Sequence, residues 1–437
     1  MRCVIRVYGR GSKREFQSQL NPARAIEKNF PIVVKTKIFD DLQSKRDKMP
    51  ITMNPISRRA LLKTAALTPL LATSNMYSQT SASGHLVYAG TYTNKSSKGI
   101  YAYRFEDKSG ELTALGLMAE TPNPTFLAIS ANHRALYAVN EVGNYKGTHS
   151  GLVSGFAIDH LSGKLTPINS VASGGSGPCH LSVDHTGHAL FVANYGSGSA
   201  DSFRIMAKGE LSPAVSQFQY SGYSVNPRRQ EGPHTHCTTV SPDNRYVLVN
   251  DLGLDRIMVY HLDPDTAKLT PNDPPYWSAH PGTGPRHLAF HPSAKWAYCV
   301  TEMGNTVDTL AWNTDKGVLT DLQAVSTLPA DFHGENTAAE IEVDAAGHFL
   351  YASNRGHDSI AAFSIDQQSG KLTSIGFTSS GGKSPRFFTL DTTGRWLLAT
   401  NQDSGNIVIY HRDSKTGLLQ PSGKVYELDG AVCLAFA

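Results

Sequence analysis

Gly284-Pro285-Arg286-His287-Leu288-Ala289-Phe290-His291-Pro292-Ser293-Ala294-Lys295-Trp296-Ala297-Tyr298-Cys299-Val300-Thr301-Glu302-Met303-Gly304-Asn305 reads as two period-two strands joined by a polar turn, with an arginine just before the first strand and a carboxylate just after the second. The same frame recurs along the chain. Pro385-Arg386-Phe387 leads to Leu398-Ala399-Thr400-Asn401-Gln402, Pro178-Cys179-His180 leads to Phe191-Val192-Ala193-Asn194-Tyr195, and Thr235-His236-Cys237 leads to Val247-Leu248-Val249-Asn250-Asp251. One unit has been copied. A unit that cannot bury both of its own faces has to stack on its neighbours.

Complete copies open at Pro124, Pro178, Thr235, Pro285, Ala338 and Pro385, between 47 and 57 residues apart. Each runs strand, turn, strand, Gly/Asn-rich turn, strand and a closing Gly-x-Leu strand. The last pair is plain in Phe156-Ala157-Ile158-Asp159 with Gly163-Lys164-Leu165-Thr166, and again in Phe363-Ser364-Ile365-Asp366 with Gly370-Lys371-Leu372-Thr373. Four strands in roughly fifty residues is the mark of a propeller blade. Residues 86–92, 99–105 and 110–115 form an earlier triplet that lacks a first strand, and the terminal Gly430-Ala431-Val432-Cys433-Leu434-Ala435-Phe436-Ala437 matches the missing piece. The expectation is therefore an all-β, seven-bladed β-propeller over residues 85–437, its N-terminal blade closed by the C-terminal strand. Closure removes the sheet edges that invite aggregation.

The charge is unevenly spread. Residues 1–63 carry fifteen Lys/Arg and five Asp/Glu, which leaves 25 basic and 32 acidic residues in the remainder. A body with that acidic excess has no Lys/Arg stripe to neutralise phosphates, which argues against a nucleic-acid partner. The basic segment ends in Ser57-Arg58-Arg59-Ala60-Leu61-Leu62-Lys63, followed by a mildly apolar stretch to Thr73 and the small residues Ser81-Ala82-Ser83. This resembles a twin-arginine export signal, with Leu61 where Phe is commoner. Its apolar run is too short to span a bilayer, so no stable membrane insertion is expected. Met53 is the expected true start, residues 1–52 a misread or disordered extension and 53–84 the signal segment. A periplasmic or secreted protein follows, with a cytoplasmic one as the alternative. The five cysteines show no C-x-x-C pair or framework spacing, so no required disulfide is expected, and Cys299 and Cys433 fall inside apolar strand patterns as buried thiols.

A propeller brings equivalent positions of every blade to one mouth of the central channel. The position before the first strand reads Phe126, His180, His236, Arg286, Glu340 and Arg386 around the ring. The pair after the second strand reads Thr91-Tyr92, Asn140-Glu141, Asn194-Tyr195, Asn250-Asp251, Thr301-Glu302, Asn354-Arg355 and Asn401-Gln402. The recurring Asn or Thr is expected to cap its turn through side-chain to backbone hydrogen bonds. The variable residues make a polar pocket for a small anionic or polyhydroxylated ligand. No Gly-x-Ser-x-Gly elbow is present, which argues against a serine hydrolase. His180, His234, His236, His287 and Asp251 are metal-ligand types, yet only His234-x-His236 is closely spaced and the nearby arginines oppose a cation. No metal or other cofactor is expected.

Gly232-Pro233-His234-Thr235-His236, Gly284-Pro285-Arg286-His287 with Glu302, and Ser353-Asn354-Arg355-Gly356-His357-Asp358-Ser359-Ile360 are similar to the lactonase-type seven-bladed propellers, which include bacterial 6-phosphogluconolactonases and fungal carboxymuconate cyclases. The likeness extends over residues 85–437. It implies that His236, Arg286, Glu302 and Arg355 fall on the catalytic cluster and that the substrate is a small-molecule lactone. His180, His234, His287 and Arg386 are the candidate substrate-binding residues. Glu302 or His236 is the expected base for water, Arg286 the group at the reacting carboxyl, and Arg355 with Arg386 the anion anchors. On sequence alone, an Arg286–Glu302 ion pair between blades and His180 and His234 as hydrogen-bonded turn residues stay open. So do a lactonising cyclase or isomerase and a non-catalytic binding platform. A closed ring needs no second copy for stability, so a monomer is expected.

Overall fold

The computed structural model describes residues 84–437 apart from residue 146. Among them every regular element is a strand, and the strands form seven four-stranded antiparallel sheets. The expected extension and signal segment lie outside the described residues, apart from Gly84. In the first blade the order is Ala431–Phe436, His85–Thr91, Gly99–Glu106, Glu111–Glu120, so the C-terminal strand does close the N-terminal sheet. The third strand of that blade runs five residues beyond the expected Leu115.

Second strands such as Ala135–Asn140, Ala189–Asn194 and Trp296–Thr301 are buried along their whole length, because each blade is covered on both faces by its neighbours. Outer strands such as Leu211–Gln219 alternate between covered and exposed positions, as their polar/apolar sequence requires. In three blades the turn from first to second strand is built by an aspartate, Asp184, Asp344 or Asp391. Asp184 Oδ1 accepts the N–H groups of His188 and Ala189, and Asp344 Oδ1 those of His348 and Phe349. Gly347 completes the latter turn at φ 71°, where an added Cβ would sit 2.4 Å from His291 Nε2 in the blade before.

Blades are joined by a repeated tyrosine. The hydroxyls of Tyr88, Tyr137, Tyr246, Tyr298 and Tyr351 each donate to a backbone carbonyl in the next blade, of Gly163, Gly209, Asp315, Gly370 and Gly417, at 2.7–3.1 Å. Tyr298→Phe strands the Gly370 carbonyl in a buried joint. The expected cost is about 1–2 kcal/mol, read as a lower urea midpoint with an unchanged slope. An unchanged midpoint would remove the joint from the account.

Thr91 and Thr301 bond the backbone of their own turns as expected, whereas the recurring asparagines do not. Asn194, Asn354 and Asn401 donate from Nδ2 to the carbonyls of Ser173, Thr327 and Ser380. Those carbonyls lie on the segments that cross from one blade into the next, so each asparagine fixes where a first strand begins.

Candidate active site

First strands enter the channel with a defect. Pairing with the second strand slips between Pro178 and His180, Thr235 and Cys237, Pro285 and His287, and Pro385 and Phe387, and between Ala338 and Ile341. In the first four the extra residue, Cys179, His236, Arg286 or Arg386, is a β-bulge, and in the fifth Ala339 and Glu340 together oppose Ser353. Regular pleating sends successive side chains to opposite faces, whereas a bulge re-aims one of them. Consequently Arg286 and His287 both face the axis, as do Arg386 and Phe387.

This separates residues that the sequence places in one rosette. His236, Arg286 and Arg386 occupy the bulge level. His180, Glu340 and Phe126 belong one level deeper with His287 and Phe387, because they follow the bulge position. The deeper level is a packed cluster in which the Phe126 ring lies 4.0 Å from His180, 6.0 Å from His287 and 5.8 Å from Phe387. His180, His236, Arg286, Glu340 and Arg386 also lie inside first strands, not ahead of them, while Phe126 does precede its strand.

Glu302 organises the bulge level. It follows directly on Trp296–Thr301, its N–H held by the Gly284 carbonyl at 2.8 Å and its own carbonyl accepting from Ala338 N at 3.0 Å. Oε2 accepts from Arg286 Nε at 3.2 Å and pairs with Arg355 Nη2 at 3.1 Å, while Oε1 accepts from Arg229 Nη2. His236 Nε2 stands 4.0 Å from Oε2. The four residues of the expected cluster are thus brought together. Burial would raise the Glu302 carboxyl, but Arg355, Arg286 and Arg229 overcome it and hold the group at about 2. Burial, with Arg355 and Arg386 adding to it, draws Arg286 down to about 9, still charged at neutral pH. Burial first, then Arg286 and His287, depress His236 well below the usual imidazole range, so its ring is neutral.

Arg229 had no sequence expectation. It sits on residues 220–234, the longest of the connections between blades, and its guanidinium also donates to the Tyr195 hydroxyl at 3.3 Å. The pair Arg228-Arg229 beside Gly232-Pro233-His234 was the available signal, but it falls outside the repeat. Arg386 makes no ion pair among the described residues. It lies 5.7 Å over the Tyr92 ring, whose hydroxyl donates to Glu141. Four guanidiniums therefore meet Glu302 and Glu141, an excess of positive charge suited to an anion.

The remaining candidates divide. His287 faces the axis from the deeper level. His180 is there too, its Nδ1 accepting from Thr238 N–H at 3.3 Å. His234 is a rim residue, stacked on Tyr195 at 4.6 Å and bonded through Nδ1 to the Tyr195 carbonyl. Asp251, to its side, receives the N–H groups of His234 and Leu254 and shapes the turn. No group of three or more His, Cys, Asp or Glu among the described residues is arranged to hold a metal ion. Cys179, Cys237, Cys299 and Cys433 are buried free thiols.

Residues 86–436 match the family model described as Lactonase, 7-bladed beta-propeller. The chain is 37% identical over 352 residues to a 6-phosphogluconolactonase of Bacillus subtilis, covering 80% of this chain and 98% of that protein. Among solved structures it is similar to a putative 6-phosphogluconolactonase of Bacteroides fragilis, with TM-score 0.76, 35% identity, and coverage of 82% of this chain and 99% of that one. A periplasmic gluconolactonase of Pseudomonas aeruginosa, PpgL, is similar at TM-score 0.76 and 34% identity, with coverage of 81% and 99%.

Proposed function

The chain belongs to the seven-bladed β-propeller lactonase family, and on that premise we propose that the arginine-rich mouth of its channel opens a sugar lactone of the 6-phosphogluconolactone type to the hydroxy acid with water. The observation that carries the assignment to this mouth is Glu302 holding Arg229, Arg286 and Arg355 together beside a neutral His236. Ester hydrolysis needs an activated water, donors for the oxyanion of the tetrahedral intermediate, and a proton for the leaving alkoxide. Arg286 and the unpaired Arg386 converge on the axis, where an oxyanion would be stabilised in surroundings poor in water. Glu302, tied to three guanidiniums and strongly acidic, is a poor proton acceptor. Its role in this reading is to orient the arginines, and the acceptor is a neutral imidazole of the floor.

The experiment is acid release, above the spontaneous rate, from 6-phosphogluconolactone, gluconolactone and galactonolactone, with carboxymuconate run in parallel. Turnover of a sugar lactone is expected. Consumption of the diene with no acid release from any lactone would instead establish a cyclase.

Export is the second part of the proposal. Arg58-Arg59 and the short apolar run after them support a twin-arginine route, and a periplasmic relative from Pseudomonas aeruginosa is consistent with it. Replacing Arg58 and Arg59 with lysine should leave the protein in the cytoplasm of a bacterium that exports the parent chain. Unchanged export would sink this part.

A further inference from the structure

A cavity of about 10 Å³ lies on the axis between the two levels, lined by Phe126, His236, Arg286, His287, Glu340 and Arg386 among others. That is room for about one water. Three of its residues each carry a buried polar atom with no partner among the described residues, namely His236 Nδ1, His287 Nε2 and Glu340 Oε2. The three side chains belong to residues only 4%, 4% and 7% exposed. Buried polar atoms without partners are uncommon and costly, and a buried water needs two to four such partners.

The hydrogen bonds settle the chemistry of two of them. Glu340 Oε1 accepts the Ile341 N–H at 3.0 Å and lies 3.0 Å from His287 Nδ1. Ionised, Glu340 can only accept, so with the carboxylate charged Nδ1 carries the hydrogen and Nε2 presents its lone pair. A carboxylate on one imidazole nitrogen and a free lone pair on the other is the arrangement of an oriented general base. His236 is less suited. Its Nε2 is 4.0 Å from Glu302, a carboxylate already neutralised by three guanidiniums.

We infer that this cavity holds the hydrolytic water and that His287, oriented by Glu340, is the base that takes its proton. The inference rests on the lactonase reading and refines it. The water O–H bond breaks, its proton goes to His287 Nε2, and the hydroxide oxygen bonds to the lactone carbonyl carbon. The carbonyl electron pair moves to oxygen, facing Arg286 and Arg386. On collapse the ring C–O bond breaks and the alkoxide takes the proton back from His287, leaving the hydroxy acid and a neutral imidazole.

His287 is faced by Glu340, His180, His236, Arg286, Arg386, Arg355 and Glu302. Burial, against the opposing pull of Arg286, raises Glu340 to about 7. Because the base is supported by the ionised carboxylate, kcat should rise with pH through about 7.

The test measures kcat and KM across pH for His287→Gln and Glu340→Gln on a lactone that the parent protein hydrolyses. His287→Gln should lose about 10²–10⁴-fold in kcat, with KM within about threefold. Glu340→Gln should lose the rise near neutrality and part of kcat. If His287→Gln folds and keeps kcat within about twofold, the inference is overturned while the lactonase reading stands. Should His287→Gln fail to fold, an unchanged pH profile and kcat in Glu340→Gln overturn it equally. Failure of the parent protein on every lactone rejects the underlying reading instead.

Discussion

Arg286→Ala is expected to lower kcat/KM for lactone hydrolysis by about 10³-fold, with a cooperative melting transition kept but moved to lower temperature, because the buried Ala339 carbonyl and Glu302 each lose a donor. Arg286 is fully buried, donates to Glu302 and to the Ala339 carbonyl, and reaches the axial cavity from its bulge. A preorganised charged donor at a developing oxyanion contributes about 10²–10³-fold on its own. Its loss also leaves Glu302 with one guanidinium fewer, which lets Arg355 and Arg229 shift. The effect should fall mainly on kcat, because the interaction strengthens as charge develops on the carbonyl oxygen. Retention of activity within about threefold would place the chemistry elsewhere.

The second large effect is structural. Deleting residues 431–437 should abolish cooperative folding, seen as loss of the parent's discrete peak on gel filtration and of a sharp thermal transition. Ala431, Val432, Cys433 and Leu434 are at most 3% exposed, and the strand pairs with Val87 through Thr91. Burying a side chain the size of Val or Leu contributes about 1.5–3 kcal/mol, so the strand accounts for roughly 5 kcal/mol before its ladder is counted. Net stabilities are about 5–15 kcal/mol, and the deletion also opens the ring and exposes the edge of His85–Thr91. A truncated chain with the parent's melting curve would mean that ring closure contributes little.

The fold was legible because its signal is repetition. Six copies of one pattern and a terminal strand matching the gap in a seventh leave few architectures. The assembly of His236, Arg286, Glu302 and Arg355 was legible for the same reason, since equivalent positions must meet at the axis. What periodicity could not convey was the bulge. A slip of one residue in the pairing leaves no mark in an alternating pattern, so Cys179 and His180, or Arg286 and His287, could not be sorted into levels, and His180 and Glu340 were grouped with the arginines. Arg229 was missed because it belongs to no repeat. The pairing of His287 with Glu340 joins residues 53 positions apart through two first strands, and only the register of the blades brings them together.

The central claim is that a lactone is opened at the bulge level, above the cavity shared by Arg286, His287 and Glu340. A crystal structure with the hydroxy acid product tests it most directly. A carboxylate oxygen is expected within about 2.7–3.1 Å of guanidinium nitrogens of Arg286 or Arg386. A product seated in the opposite half of the channel, against Ser182, Thr239 and Val240, or on the outer rim, would contradict it.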